Sequence, residues 1–265
     1  MDADASLQLA LDLARRAGAL VADARADNRL DLSYKRGVEL LTSADLEADR
    51  LICSGIRAHA PEDSILSEES SAQLPPSRWG EGPLWVVDPI DGTVNYAYGH
   101  SQVAISIAYL DGGQVQAGVV HTPFQGETFI ARRGGGAALN GRPIHASGCR
   151  TLEHALVGTG FPYERARRDA LVDRLQRVLR HCRDIRRVGS AALDLCWVAC
   201  GRLDAFYETL CPWDIAAGRL VAAEAGASLG HLQPAPPGVP AELWGEELVA
   251  SAPGVYAAFV ALLKG

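Results

Sequence analysis

A segment near the middle of the chain places two carboxylates and a hydroxyl at the end of an apolar run. Leu84–Val87 leads directly into Asp-Pro-Ile-Asp-Gly-Thr at 88–93. The apolar run predicts an interior strand, and Pro89 biases Asp88 toward an extended backbone. Because Mg²⁺ prefers carboxylates, water and phosphate oxygens, the segment predicts a magnesium site. The alternative is an Asp-Pro turn followed by an Asp-Gly turn, as in an ordinary loop.

Three other places carry acidic side chains that could complete such a site. Glu68 and Glu69 follow an apolar pair, Asp45 lies in the first turn of a predicted helix, and Asp214 follows Pro212 at another helix start. The glutamates could instead be solvated loop charges, and the two aspartates could complement helix dipoles. The joint pattern favours a site for divalent cations, which would attract an anionic substrate to an acidic protein.

The elements that must position these side chains follow from periodicity and turn signals. Apolar residues at helical spacing predict helices around 7–21 and 48–55. Thr42 or Ser43 is the predicted N-cap of the second helix. The residues between the two helices, at 35–45, are predicted to form an irregular or hairpin segment. Later elements are predicted as strands at 84–88, 103–110, 115–121, 127–131, 185–188 and 205–208, and helices at about 167–181, 190–200 and 213–225. This order indicates a layered α/β or α+β sandwich.

Composition narrows the class of protein. The 265 residues contain 48% hydrophobic and 22% charged residues, which is typical of a globular chain. No apolar run approaches the roughly 20 residues that span a bilayer, and the acidic start at Met1 is unlike a signal peptide, so we expect a cytoplasmic protein without a membrane partner. The six cysteines show neither C-x-x-C pairs nor zinc-ligand spacing with histidine.

The net charge of the chain indicates which kind of partner it could bind. A net charge of −7 argues against nucleic acid as the main partner. Arginines are concentrated between Arg165 and Arg187, but acidic residues and helically spaced apolar residues are interleaved with them. This mixture favours a solvated helix face, with a partner-binding face as the alternative.

Other enzyme classes find little support in the motifs. The chain has no G-x-S-x-G elbow, and Ser190 has no histidine partner nearby in the sequence. It has no phosphate-binding G-x-x-x-x-G-K-[ST] loop, and the dinucleotide pattern beginning at Gly134 fails at Leu139.

Several of these segments together resemble the inositol monophosphatase family of metal-dependent phosphatases. The segment 88–93 resembles its central motif, and Trp-Asp-Ile-Ala-Ala-Gly at 213–218 resembles its C-terminal signature. Segments 41–45, 67–70 and 189–192 match further family segments in the right order. The resemblance covers nearly the whole chain. It implies an alternating αβαβα sandwich of the inositol monophosphatase and fructose-1,6-bisphosphatase type, as a single unit (1–265) with an α+β half to about residue 145 and an α/β half from about 146.

The resemblance also implies roles for individual residues. It implies more than one Mg²⁺ ion, held by Glu68, Asp88, Asp91, Asp214 and the carbonyl of Ile90. Catalysis would involve Asp91, and Thr93 together with Glu68 would orient the attacking water. Substrate contacts would come from Asp91, Gly92, Thr93, Gly189, Ser190, Ala191, Glu208 and Asp214. Lys35 and Asp45 would lie near the metal ions and support the ligands without coordinating the ions themselves.

The substrate is the less constrained part of the resemblance. Thr-Val-Asn-Tyr at 93–96 resembles the inositol-phosphatase branch, which predicts a phosphomonoesterase for myo-inositol monophosphate or a similar small polyol or sugar phosphate. Fructose-1,6-bisphosphatase, histidinol-phosphatase and 3′(2′),5′-bisphosphate nucleotidase are the alternatives. A regulatory protein that binds transcription machinery is the alternative from another class. Lithium inhibition and a homodimer are further expectations from the family.

Overall fold

Helices and sheets alternate along this fold, which a computed structural model describes for residues 1–27, 31–35, 39–70, 74–161 and 168–265. For Lys35, Glu39 and residues 168–170 only the backbone is described. The helices are α1 (Ala3–Ala26), α2 (Ser43–His59), α3 (Thr93–Ala97), α4 (Arg168–His181), α5 (Ala191–Ala199), α6 (Pro212–Glu224) and α7 (Tyr256–Lys264). The strands are β1 (Leu32–Lys35), β2 (Glu39–Thr42), β3 (Ser64–Ser67), β4 (Leu84–Asp91), β5 (Ala104–Asp111), β6 (Gln114–Thr122), β7 (Glu127–Arg132), β8 (Gly136–Leu139), β9 (Arg142–Pro143), β10 (Leu156–Thr159), β11 (Asp184–Arg186), β12 (Ala205–Glu208), β13 (Ser228–His231) and β14 (Leu248–Ser251).

The larger sheet has seven strands in the order β3-β4-β5-β6-β7-β8-β9. β3 and β4 are parallel, and the remaining pairs are antiparallel. β5 and β6 form the hairpin that the sequence predicts: Asp111 pairs with Gln114, and Gly112 and Gly113 turn the chain with φ of 56° and 74°. Two successive positive φ values are typical of the turn that suits the twist of a hairpin.

This sheet is covered on both faces, which explains the uninterrupted apolar run of β4. Trp85 and Val87 belong to a core shared with α1 and α2, whereas Leu84 and Val86 belong to a core shared with α5 and α6. Alternate side chains of a strand point to opposite faces, so a strand between two helical layers needs apolar residues at every position.

The smaller sheet has five strands in the order β11-β10-β12-β14-β13. Phe206 on β12 packs into a core with α5 and α6, and its neighbour Tyr207 packs into a core with α4 and α7. The layers are therefore α1/α2, the seven-stranded sheet, α5/α6, the five-stranded sheet and α4/α7. This arrangement confirms the predicted αβαβα sandwich.

Most predicted elements are present, with differences at their ends. The strand predicted to end at Asp88 continues to Asp91, and the segment predicted as a strand at 185–188 is β11, Asp184–Arg186. Thr42 caps α2 as predicted, through a reciprocal pair with Asp45. Strands β8, β9, β10, β13 and β14 and helix α7 had no prediction from the sequence. Division into halves near residue 145 stays a proposal, supported by the end of the larger sheet at Pro143.

Membrane insertion finds no support among the described helices. Within the ranges given above, no helix combines the length and the apolar character needed to cross a bilayer.

Gly118 on β6 packs directly against the backbone of helix α6. A Cβ atom at this position would lie 3.0 Å from both Cα and O of Ala217 in α6. We expect Gly118→Val to lower the free energy of unfolding by about 1–3 kcal/mol, because a backbone cannot move aside as a flexible side chain can. Urea unfolding measures the change. Gly148→Val is the matched control, since a Cβ there meets no atom within 4 Å, and an equal loss in both variants would contradict the prediction.

Candidate metal centre

The end of β4 carries a bulge that brings Asp88 and Asp91 to the same side. Asp88 pairs with Ser106 and Asp91 pairs with Ala104, so three steps along β4 face two steps along β5. In a regular strand, residues three apart point to opposite faces, and one extra residue reverses that relation. One oxygen each from Asp88, Asp91 and Asp214 lie within 4.8 Å of one another.

Each of these carboxylates is anchored through one oxygen. Asp88 Oδ1 accepts a hydrogen bond from the N–H of Ile90 at 3.0 Å. Asp91 Oδ2 accepts one from Ser190 Oγ at 2.5 Å and one from the N–H of Ala192 at 2.8 Å. Asp214 Oδ2 accepts one from the N–H of Cys211 at 2.8 Å. The anchors fix the direction of each side chain and leave its other oxygen to meet a ligand.

Crowding and burial make this cluster electrostatically unfavourable on its own. Asp88 is 1% exposed and Asp91 is 8% exposed. Burial, and then the charge of Glu68 and of the other two aspartates, raises the pKa of Asp88 well above its usual range. Burial, followed by the charges of Asp91 and Glu68, raises the pKa of Asp214 in the same way. Like charges in a buried site disfavour ionisation, and a divalent cation would reverse that effect.

Glu68 lies near the three aspartates at the exit of β3. Its charge contributes to the raised pKa of Asp88 and of Asp214, although the grouping within 4.8 Å contains, among the described residues, only the three aspartates. Its N–H donates to the carbonyl of Val87 at 3.2 Å, which ties it to β4 one residue before Asp88. The structure therefore places Glu68 beside the cluster.

Thr93 joins the cluster to Asp45 on α2. Its hydroxyl is 3.2 Å from Asp45 Oδ1 and 3.1 Å from the carbonyl oxygen of Ile90. The other oxygen of Asp45 accepts hydrogen bonds from the N–H and the hydroxyl of Thr42, at 2.8 and 2.5 Å. Burial raises the pKa of Asp45 to about 6 in spite of these bonds. Asp45 thus has a direct partner in Thr93, and its role in supporting the metal ligands stays a prediction.

Gly92 connects β4 to the short helix α3 and cannot easily be another residue. Its φ is 96°, in the left-handed region, and a Cβ would lie 2.9 Å from the carbonyl oxygen of Gln102 and 3.0 Å from that of Gly189. Both facts favour glycine. The close approach also brings α3 against the segment that begins at Gly189.

Ser190 and Asn95 connect the predicted substrate-binding segment to the acidic cluster and to the chain around it. Ser190 is predicted to contact the substrate, and in this structure its hydroxyl donates a hydrogen bond to Asp91. Asn95 donates to the carbonyls of Gln102 and Val188 at 2.8 and 2.9 Å, which holds the chain just before Gly189. The sequence offers only the Thr-x-Asn spacing as a signal for Asn95.

Glu208 and Asp194 lie on the other side of the cluster, where β10 meets β12 and α5. A Cβ on Gly160 would lie 1.8 Å from Glu208 Oε1, and one on Gly158 would lie 2.8 Å from Asp194 Oδ1, so both glycines make room for carboxyl groups. Burial raises the pKa of Glu208 to about 8, and burial together with the charge of Glu208 raises that of Asp194 well above its usual range. Asp194 Oδ1 finds no hydrogen-bond donor among the described residues.

Not every predicted residue can be placed. The backbone of Lys35 pairs with Glu39 in the β1–β2 hairpin, but the side chain of Lys35 lies outside the described part, and its predicted role stays a prediction. The residues predicted as metal ligands fit Mg²⁺, because they offer hard carboxylate oxygens held in place by hydrogen bonds, with the Ile90 carbonyl next to them.

This chain is similar to known proteins over nearly its whole length. A model described as the inositol monophosphatase family matches residues 2–263. The sequence is 42% identical to a protein named Nus factor SuhB from Pseudomonas aeruginosa, over 83% of each chain. It is 35% identical to inositol monophosphatase 1 from Solanum lycopersicum, over 97% of this chain and 94% of that protein. A solved structure, extragenic suppressor protein suhB from Bartonella henselae, superposes with a TM-score of 0.88 at 32% identity, covering 98% of both chains.

Repulsion within the cluster predicts opposite responses of the metal-free and metal-loaded protein to one substitution. We expect metal-free Asp88→Asn to melt at a higher temperature than metal-free wild type, because a neutral amide removes buried like-charge repulsion. Addition of Mg²⁺ should stabilise the wild type by about 2.7 kcal/mol at 100 times its Kd and the variant far less. Thermal melts with a chelator and with Mg²⁺ measure both effects.

Asp12→Asn is the control for the loss of one negative charge. Asp12 is exposed and pairs with Arg16 at 3.1 Å on α1, so its response to Mg²⁺ should equal that of the wild type. A full Mg²⁺-dependent shift in Asp88→Asn would contradict the assignment of Asp88 as a ligand.

Proposed function

This chain belongs to the inositol monophosphatase family, and we propose that it is a Mg²⁺-dependent phosphomonoesterase for myo-inositol monophosphate or a similar small polyol or sugar phosphate. The observation that carries the proposal is the convergence of Asp88, Asp91 and Asp214 beside the Thr93–Asp45 pair. Carboxylates from two separate segments meet where burial alone would exclude them, which is typical of a catalytic cation site.

The ions would be held by residues already described. We assign Glu68, Asp88, Asp91, Asp214 and the carbonyl of Ile90 as ligands of more than one Mg²⁺. Bound divalent ions supply a water molecule of lowered pKa and offset the charge of the phosphate.

Thr93 together with Glu68 would orient the attacking water, and Asp45, the hydrogen-bond partner of Thr93, would take up its proton. The Thr93 hydroxyl has one proton and two acceptors, Asp45 Oδ1 and the Ile90 carbonyl, within 3.2 Å. A hydroxyl held in this way keeps an oxygen lone pair available to accept a hydrogen bond from water. Asp45, with a pKa raised to about 6, is a stronger base than an exposed aspartate, as a general base near neutral pH requires.

The alcohol portion of the substrate would lie toward Gly189, Ala191 and Glu208. With a pKa of about 8, the carboxyl of Glu208 is mostly protonated at pH 7. A neutral carboxyl both donates and accepts hydrogen bonds, which suits the hydroxyls of a polyol. The phosphate would lie against the backbone of Asp91, Gly92 and Thr93, with Asp214 on the far side.

Other properties of the family are carried over as part of the same proposal. They are a homodimer, inhibition by Li⁺ and a cytoplasmic location.

From the relatives named Nus factor SuhB we infer a second candidate function, the binding of a partner in transcription. The arginines of α4 offer limited support. Arg174 pairs with Glu247, and Arg177 donates to the carbonyls of Leu262 and Leu263 at the end of α7. Arg174 is thus engaged by the segment before β14 and Arg177 by the end of α7, so the phosphatase stays the first proposal.

A substrate panel tests the branch of the family. With Mg²⁺ present, we expect kcat/KM to be highest for inositol 1-phosphate among inositol 1-phosphate, fructose 1,6-bisphosphate, histidinol phosphate and 3′-phosphoadenosine 5′-phosphate, because Glu208 provides a neutral partner for ring hydroxyls. Phosphate release measures the ranking. A nucleotide bisphosphate far above inositol phosphate would move the protein to another branch, and no turnover of any of the four would favour the regulatory function.

The Thr93–Asp45 pair predicts a coupled loss of turnover. We expect Asp45→Asn and Thr93→Ala each to lower kcat by roughly 10²- to 10⁴-fold, the range of general acid–base catalysis, with little change in substrate KM. The double variant should lose no more than the worse single variant, because both residues act on the same proton. Independent, multiplying losses would show that the two act separately.

A further inference from the structure

Asp49 on α2 is a buried acid to which the sequence motifs assign no role. It lies one helical turn beyond Asp45 and is only 4% exposed. Its Oδ1 accepts hydrogen bonds from Ser67 Oγ, from Ser70 Oγ at 3.2 Å and from Cys53 Sγ at 3.5 Å. Three donors on one oxygen satisfy a buried carboxylate that would otherwise be costly.

The two serines bracket the acidic pair at the exit of β3. Ser67 is the last residue of β3 and is fully buried, and Ser70 follows three residues later. Glu68 and Glu69 lie between them. The carboxylate of Asp49 therefore accepts a hydrogen bond from the residue on each side of this two-residue segment. The N–H of Glu68 in turn donates a hydrogen bond to the carbonyl of Val87 in β4. The segment is fixed from the helix on one side and from the sheet on the other.

The Cys53 thiol remains a hydrogen-bond donor at neutral pH. Burial and then the charge of Asp49 raise the pKa of the Cys53 thiol to about 11, so the thiol keeps its proton and points it at Asp49. An asparagine has one acceptor oxygen and an NH₂ group that only donates, whereas both oxygens of an aspartate accept hydrogen bonds. An aspartate can therefore hold the serine hydroxyls with either oxygen, and an asparagine with only one.

We propose that Asp49 is a positioning residue that sets Glu68 for cation binding by gripping Ser67 and Ser70. The inference rests on the proposed function, because it takes Glu68 as a Mg²⁺ ligand. Glu68 lies in the two-residue segment between Ser67 and Ser70, so the hydrogen bonds that hold these two serines also limit where Glu68 can lie. Partners that orient metal ligands change metal affinity by about 10- to 100-fold when removed.

The test compares Asp49→Ala, Asp49→Asn and the matched control Asp63→Ala. Asp63 also serves the β3–β4 region as an acceptor, taking a hydrogen bond from Trp85 Nε1 at 3.0 Å, but at the opposite end of the strand. The measurement is the Mg²⁺ concentration for half-maximal thermal stabilisation, confirmed by calorimetric titration of Mg²⁺ without substrate. We expect a 10- to 100-fold increase for Asp49→Ala, a smaller one for Asp49→Asn and none for Asp63→Ala, with substrate KM at saturating Mg²⁺ unchanged in all three.

Ser70→Ala keeps the proposal testable where Asp49→Ala fails to fold. Ser70 is exposed, so its removal should cost little stability yet still weaken Mg²⁺ binding, and it should have little further effect in Asp49→Asn. Wild-type Mg²⁺ affinity in Asp49→Asn and Ser70→Ala, or an equal change in Asp63→Ala, would overturn the inference. The result is separable from the proposed function, since Mg²⁺ titration needs no substrate: wild type that binds Mg²⁺ but hydrolyses no phosphomonoester refutes only the enzyme activity.

Discussion

Electrostatic repulsion among the clustered carboxylates at the end of β4 dictates how the surrounding structure must be built. Asp88, Asp91 and Asp214 place oxygens within 4.8 Å of one another, with Asp88 and Asp91 buried and Asp214 partly exposed. Burial and mutual charge raise the pKa of Asp88 and Asp214 well above the usual range. A fold tolerates such a cluster when the surrounding backbone anchors each member and a cation completes the site.

The layered scaffold brings together anchored carboxylates from elements far apart in sequence. β4 ends between two helical layers, and the starts of α5 and α6 approach it from the side of the smaller sheet. The start of α5 provides Ser190 Oγ and the N–H of Ala192 to Asp91, and the start of α6 provides the N–H of Cys211 to Asp214. Unpaired N–H groups at helix starts favour negative charge. The α5/α6 layer therefore both closes the core and stabilises the acidic site.

Titratable groups around the cluster fall into two kinds. Asp45, with a pKa near 6, is largely ionised at neutral pH and is bound to hydroxyl and N–H donors. Glu208, with a pKa near 8, is held protonated by burial, and burial together with the charge of Glu208 raises the pKa of Asp194 well above its usual range. Environments that drive pKa values apart in this way separate the two tasks of an acid–base site: proton uptake toward Thr93 and neutral hydrogen bonding toward the alcohol.

Local sequence patterns determined the parts of this protein that depend on neighbours in the chain. The apolar run before Asp88, the Gly112-Gly113 turn and the Thr42 cap each follow from short-range sterics and hydrogen bonding, and the structure confirms them. Tertiary structure decided the rest. The β4 bulge that puts Asp88 and Asp91 on one side, the use of Ser190 by Asp91 and the grip of Asp49 on Ser67 and Ser70 all join residues through strand register and layer packing. No local propensity encodes such contacts, because their free energy is gained only after distant segments have come together.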